Sequence, residues 1–158
     1  MAFVICAFIL IAADQISKFA AIKFLKPHET IEIIKGVLSF TYVENRGAAF
    51  GILQNARWVF ILFTILAMGI MVFYKIKNKP QGKIINTSLC LLLAGATGNM
   101  IDRLCLGYVV DMIEVTFIDY PVFNVADCFV VVGTILLAYY ILFIYKEPKK
   151  VDDNGQNL

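Results

Sequence analysis

Residues 98–127 read GNMIDRLCLGYVVDMIEVTFIDYPVFNVAD, and the acids in this stretch decide how the whole chain is understood. It begins on the last turns of an apolar helix, crosses a loop, and ends where a second apolar helix starts. Asp102, Asp111 and Asp127 are thereby gathered at one end of two expected membrane spans. A charge at membrane depth is costly to keep, so such residues point to function by default.

Working outward, 158 residues with 60% hydrophobic and 16% charged side chains and a mean hydropathy of +0.78 offer too little polar surface for a water-soluble domain. The expectation is an all-α membrane protein forming a single domain over residues 1–158. Its four transmembrane helices are placed at about 2–22, 58–74, 84–101 and 125–145, each close to the ~20 residues that cross a hydrocarbon core. No Lys or Arg precedes the first apolar run, which argues for a span rather than a cleaved signal peptide. Residues 146–158 form a polar tail expected to be disordered. Residues 37–43 have the β-branched and aromatic content of a strand, and residues 31–45 as a whole suggest a small extramembrane β-sheet between helices one and two. Residues 104–123 read as a loop. Gly95, Ala96 and Gly98 would let a neighbouring helix approach the third span closely.

A net charge of +2 on so apolar a chain excludes a nucleic-acid reader. Cys6, Cys90, Cys105 and Cys128 show no paired spacing; a disulfide involving Cys105 or Cys128 is disfavoured but stays open. His28 stands alone in a polar loop, where a solvated side chain is expected. Basic residues cluster in the connector (Lys75, Lys77, Lys79, Lys83) and the tail (Lys146, Lys149, Lys150), seven against five in the first loop. The majority puts both termini in the cytoplasm and the three aspartates toward the outer face.

Individual residues carry alternatives. Asn99, Asp102 and Arg103 share one helical face, and Asp102 fits a structural pairing with Arg103 at least as well as a chemical role. Asp127 has apolar flanks and no cation within a helical turn, a setting in which a shared or retained proton is expected. Asn124 shares its face and either donates a hydrogen bond to it or caps the fourth helix, or does both. Asp111 lies between Val110 and Met112, either as an ordinary turn residue or as the partner that a short loop brings to Asp127. Two carboxylates that close cannot both ionise easily. Asp14 and Lys18 form an i, i+4 pair with the acid first, a structural arrangement in which Lys18 can snorkel outward. Asn45 and Arg46 are turn residues or a contact for substrate backbone or headgroup.

The ordered motifs D-Q-I-S-K (14–18), N-R-G-A-A-F-G (45–51), G-N-M-I-D-R (98–103), V-V-D (109–111) and F-N-V-A-D (123–127) resemble, over nearly the whole chain, those of the bacterial lipoprotein signal peptidases, or signal peptidase II. One such motif is weak; five in order on four spans are specific. The resemblance implies a metal-independent aspartic endopeptidase without a cofactor, acting as a monomer in the bacterial cell membrane. Its substrate would be a prolipoprotein carrying a diacylglyceryl-cysteine, cleaved before that cysteine, with membrane lipid around it and no nucleic acid involved. By the same resemblance Asp111 and Asp127 are the catalytic pair. Asp14, Lys18, Asn45, Asn99, Asp102, Arg103 and Asn124 match the supporting polar set. Met112 departs from the pattern, since many members have an aromatic residue there. Two other classes share some features. A proton-coupled transporter would place its acids nearer mid-bilayer, and a lipid-phosphate enzyme would hold Mg²⁺ with several aspartates.

Overall fold

A computed structural model describes residues 1–47 and 53–145. Along the chain come α1 (Ala2–Ala20), prolonged by a wide π-helical turn over Ala21–Leu25, then β1 (Thr30–Ile34) and β2 (Leu38–Asn45). There follow α2 (Arg57–Asn78), α3 (Lys83–Cys105), β3 (Val109–Val115) and α4 (Val125–Tyr139), the last extended by a second π-helical turn over Tyr140–Ile144. Among the described residues, four helical stretches of 24, 22, 23 and 20 residues are long and apolar enough to cross a membrane. They overlap the four expected spans, with boundaries moved by a few residues. The tail and part of the N-R-G-A-A-F-G motif lie outside the described residues.

The four helices are not equivalent. In α3, 39% of the most apolar stretch is buried within the protein, against 6–11% in the others, so α3 is the hub and its neighbours turn large side chains such as Phe63, Ile70 and Leu142 outward to lipid. The sequence reason is the small-residue run on α3. A Cβ at Gly95 would stand 2.5 Å from the Ala126 carbonyl oxygen and 2.8 Å from Val130 Cγ2, so only glycine lets α4 lie this close. One turn further, Gly98 makes room in the same way for the carboxyl of Asp14 on α1. Ser88, fully buried on α3, donates to the Gly133 carbonyl of α4 at 2.8 Å and leaves no polar group stranded in the interface.

The sheet is antiparallel with order β1-β2-β3, and its third strand comes from the segment read as a loop. The residues V-V-D-M-I-E-V form that strand because a strand buried on both faces shows a continuous apolar run instead of alternation. Val109, Val110, Asp111 and Met112 are all buried. Val110 and Met112 pack with Ala21 and Leu25 at the end of α1, which fastens the sheet to the helices. Phe40 pairs with Ile113 and Val43 with Asp111, so β2 carries one extra residue between these pairs, a β-bulge. Beyond Val115 the chain turns back, and the Phe123 N–H donates to the Ile113 carbonyl at 3.0 Å while its own carbonyl accepts from Ile113 at 2.8 Å. This return places Asn124, the first residue before α4, beside Asp111.

Candidate active site

Asp111 and Asp127 line one cavity of about 230 Å³, walled by Asn45, Asn99 and Arg103 and by the segment from Tyr120 to Phe123. Asp111 is 2% exposed; Asp127 is only partly buried and opens onto the cavity. Three asparagines hold these two carboxyls. Across the antiparallel pair, Asn45 stands opposite Val109 and diagonal to Asp111, within side-chain reach, and its Nδ2 donates to Asp111 Oδ2 at 2.9 Å. Asn124 Nδ2 donates to Asp111 Oδ1 at 2.6 Å. Asn99 Nδ2, from α3, donates to Asp127 Oδ1 at 2.8 Å.

None of these amides can turn over without losing a second bond, because a donor that cannot accept holds each amide oxygen. The Gly47 N–H donates to Asn45 Oδ1 at 3.0 Å, the Asp127 N–H to Asn124 Oδ1 at 2.9 Å, and the Lys18 ammonium to Asn99 Oδ1 at 2.8 Å. The N–H₂ groups therefore have to face the carboxyls. Asn124 also donates its backbone N–H to Asp127 Oδ2 at 3.2 Å, closing a capping box at the start of α4. Asn124 caps α4 as anticipated, but its side-chain amide donates to Asp111 and not to Asp127, which it reaches through its backbone N–H. Burial pushes the Asp111 carboxyl up to about 6, against the opposing pull of the Asn45 and Asn124 donors, and the nearby Asp127 charge pushes the same way as burial.

Behind the pair lies a second polar layer. Lys18 Nζ stands 3.0 Å from Asp14 Oδ2 and 3.1 Å from Asp102 Oδ2, all three side chains being almost fully buried. With Asn99 as third acceptor, each N–H of the ammonium has a partner. Asp14 Oδ1 in turn accepts the Ala126 N–H at 2.9 Å, placing a carboxylate at the N-terminus of α4. Asp102 Oδ2 accepts the Val110 N–H at 3.0 Å and so fixes where β3 starts after the short turn from α3.

The Asp14–Lys18 pair agrees with the expectation, but two others do not. Lys18 does not snorkel; at 2% exposure it points inward, because Asp14, Asp102 and Asn99 together supply what water would have. Asp102 pairs with Lys18 instead of Arg103. The guanidinium of Arg103 lies 4.8 Å from the Phe60 ring centre and donates to the Asn99 and Gly47 carbonyls at 3.5 and 3.4 Å, so it fastens α2 and the end of β2 to the cavity rim. Arg46 pairs with Glu44 at 3.2 Å and lies over the Tyr108 ring, 5.3 Å from its centre.

Sequence reasoning missed Gln15, whose Nε2 bridges Asp14, the Gly98 carbonyl and Asp102 at 3.1–3.2 Å. Its place inside D-Q-I-S-K was the available signal. The 120–123 wall was missed as well, since nothing local shows that the chain doubles back on β3.

A family model described as signal peptidase (SPase) II matches residues 6–143. Similar proteins include the lipoprotein signal peptidase of Caldanaerobacter subterraneus subsp. tengcongensis, 48% identical over 90% of this chain and 97% of that one. Another is that of Streptococcus thermophilus, 45% identical over 87% and 88%. Two solved structures described as bacterial membrane enzymes superpose with a TM-score of 0.82, one at 31% identity covering 94% of both chains and one at 32% covering 91% and 94%. The chain, a multi-pass membrane protein, belongs to the signal peptidase II family.

Proposed function

We propose that Asp111 and Asp127 are the catalytic pair of a metal-independent aspartic endopeptidase that removes the signal peptide from diacylglyceryl-modified prolipoproteins, cleaving before the lipidated cysteine. The observation that carries this reading is that two carboxyls line one cavity and both accept from Asn124, Asp111 from its side-chain amide and Asp127 from its backbone N–H. One ionised carboxylate takes a proton from the attacking water while its protonated partner donates to the scissile carbonyl, and the roles exchange as the tetrahedral species collapses. The raised Asp111 carboxyl suits a pair holding one proton between its members. Amide N–H groups point at three of the four carboxyl oxygens and a backbone N–H at the fourth, which disfavours a cation there. Asn45, Asn99 and Asn124 orient the pair; Asp14, Lys18, Asp102 and Arg103 support them.

The enzyme acts as a monomer in the bacterial cell membrane, with its Lys75 end toward the cytoplasm and the pair toward the outer face. The peptide lies at the interface while the acyl chains stay in lipid, so the membrane itself helps position the bond. The test is to offer purified protein the diacylglyceryl-modified prolipoprotein and the unmodified form at equal surface density, with excess chelator. Cleavage of the modified form alone is expected. Equal rates on both would make this a general membrane peptidase, and loss of activity in chelator would require a metal.

A further inference from the structure

A cavity of about 630 Å³ lies at the membrane end opposite the aspartate pair and takes no part in the site above. It opens between the start of α1, the end of α2 and the start of α3, about 24 Å along α3 from Asp102 at 1.5 Å per residue between Asn86 and Asp102. Phe3, Cys6 and Leu10, at helical spacing on one face of α1, line an apolar wall; Lys75, Lys79 and Asn86 form its polar rim. Lys75 is held in place over the Phe3 ring at 4.8 Å and by a hydrogen bond to Asn86 Oδ1. Asn86 is itself anchored by donating to the Pro80 and Gly82 carbonyls, both at 2.8 Å. The first turn of α3 at this rim contains no acidic residue and its N-cap, Gly82, offers no side-chain cap, so the helix presents its positive end uncompensated. No Asp or Glu occurs anywhere from residue 46 to 101.

We propose that this groove binds one anionic glycerophospholipid, its phosphate on Lys75 and Lys79 and an acyl chain along Phe3, Cys6 and Leu10. The charge selects the occupant. A zwitterionic lipid would bring its own cation to a rim that already holds two and has no carboxylate, whereas an anionic headgroup brings its phosphate without one. The lengthwise apolar wall takes a chain, which a free phosphate compound lacks.

The experiment is to reconstitute the full-length protein in bilayers of equal phosphatidylglycerol and phosphatidylcholine, extract it gently, and quantify retained lipid by native mass spectrometry. Phosphatidylglycerol should be enriched over the bulk, and Lys75→Gln or Lys79→Gln should each reduce that enrichment about fivefold. Lys77→Gln, which removes an equal charge outside the groove, should leave it unchanged. Cys6→Trp, which fills the wall with both lysines intact, should abolish retention. Should Lys75→Gln fold poorly, Lys79→Gln and Cys6→Trp still decide the matter. The proposal is overturned by no enrichment in the wild type, by equal losses from Lys77→Gln and Lys79→Gln, by full retention in Cys6→Trp, or by displacement of the lipid with free glycerol 3-phosphate.

Discussion

Asn124 donates its side-chain amide to Asp111 at 2.6 Å and is held there by the oxygen of the same amide, which caps α4. Helix initiation and carboxyl orientation are thus one event. Asn124→Ala removes both, leaving Asp111 with one of its two amide donors and α4 without its side-chain cap. A stability loss of about 1 kcal/mol from the cap and a fall in kcat of tenfold or more are expected. Asn124→Ser, which can cap but is too short to reach Asp111, should recover the stability and not the rate. Unfolding in detergent and single-turnover cleavage separate the two; recovery of both by serine would contradict the account.

Lys18 bridges the buried side chains of Asp14 and Asp102. Lys18→Met leaves two buried carboxylates uncompensated and frees the Asn99 amide to turn, so a loss of roughly 3–5 kcal/mol is expected. Asp102→Asn should cost less, because Lys18 keeps Asp14. Thermal unfolding of both variants checks the order, and a Lys18→Met protein as stable as wild type would remove the ion cluster from the account.

Acidity acts through Asp111 with a definite sign. Its folded value of about 6 lies above the ordinary 3.8, so the folded state holds the proton more tightly. The stabilisation this brings is complete below pH 3.8 and is lost as pH rises through about 6. Between pH 4 and 7 the wild type should therefore lose stability relative to Asp111→Asn, on the order of 2 kcal/mol. Unfolding measured for both proteins across this range gives the difference, and a constant or opposite trend would contradict the raised pKa of Asp111.

Gly98 faces the Asp14 carboxyl with no room for a methyl group. Gly98→Ala should cost about 1–3 kcal/mol through overpacking and lower the rate, since Asp14 also holds the Ala126 N–H at the start of α4. An alanine variant with wild-type unfolding and turnover would show that α1 can move aside.

The four spans were legible because a membrane demands about twenty apolar residues in a row, and that demand is written locally. The gathering of Asp111 and Asp127 was legible for a similar reason, since isolated acids in apolar runs need an explanation. The third strand was not. Residues 109–115 show no alternation, because both of their faces are covered, one by α1 and one by the cavity side. The partner of Asp102 was misjudged as Arg103 because sequence adjacency was the only available guide. Lys18 reaches Asp102 from another helix, over a separation in sequence that periodicity cannot see. The asparagine oxygens, which fix the amide donors, depend on Gly47, Lys18 and the Asp127 backbone. No single motif contains them together.

The most direct test of the catalytic pair is single-turnover cleavage of a diacylglyceryl-modified prolipoprotein by wild type, Asp111→Asn and Asp127→Asn, at matched amounts of folded protein. An amide can neither take the proton of the attacking water nor return one, so each variant should fall about 10³-fold or more while unfolding within a few degrees of wild type. Cleavage at near wild-type rate by either variant would remove that residue from the pair and with it the proposed mechanism.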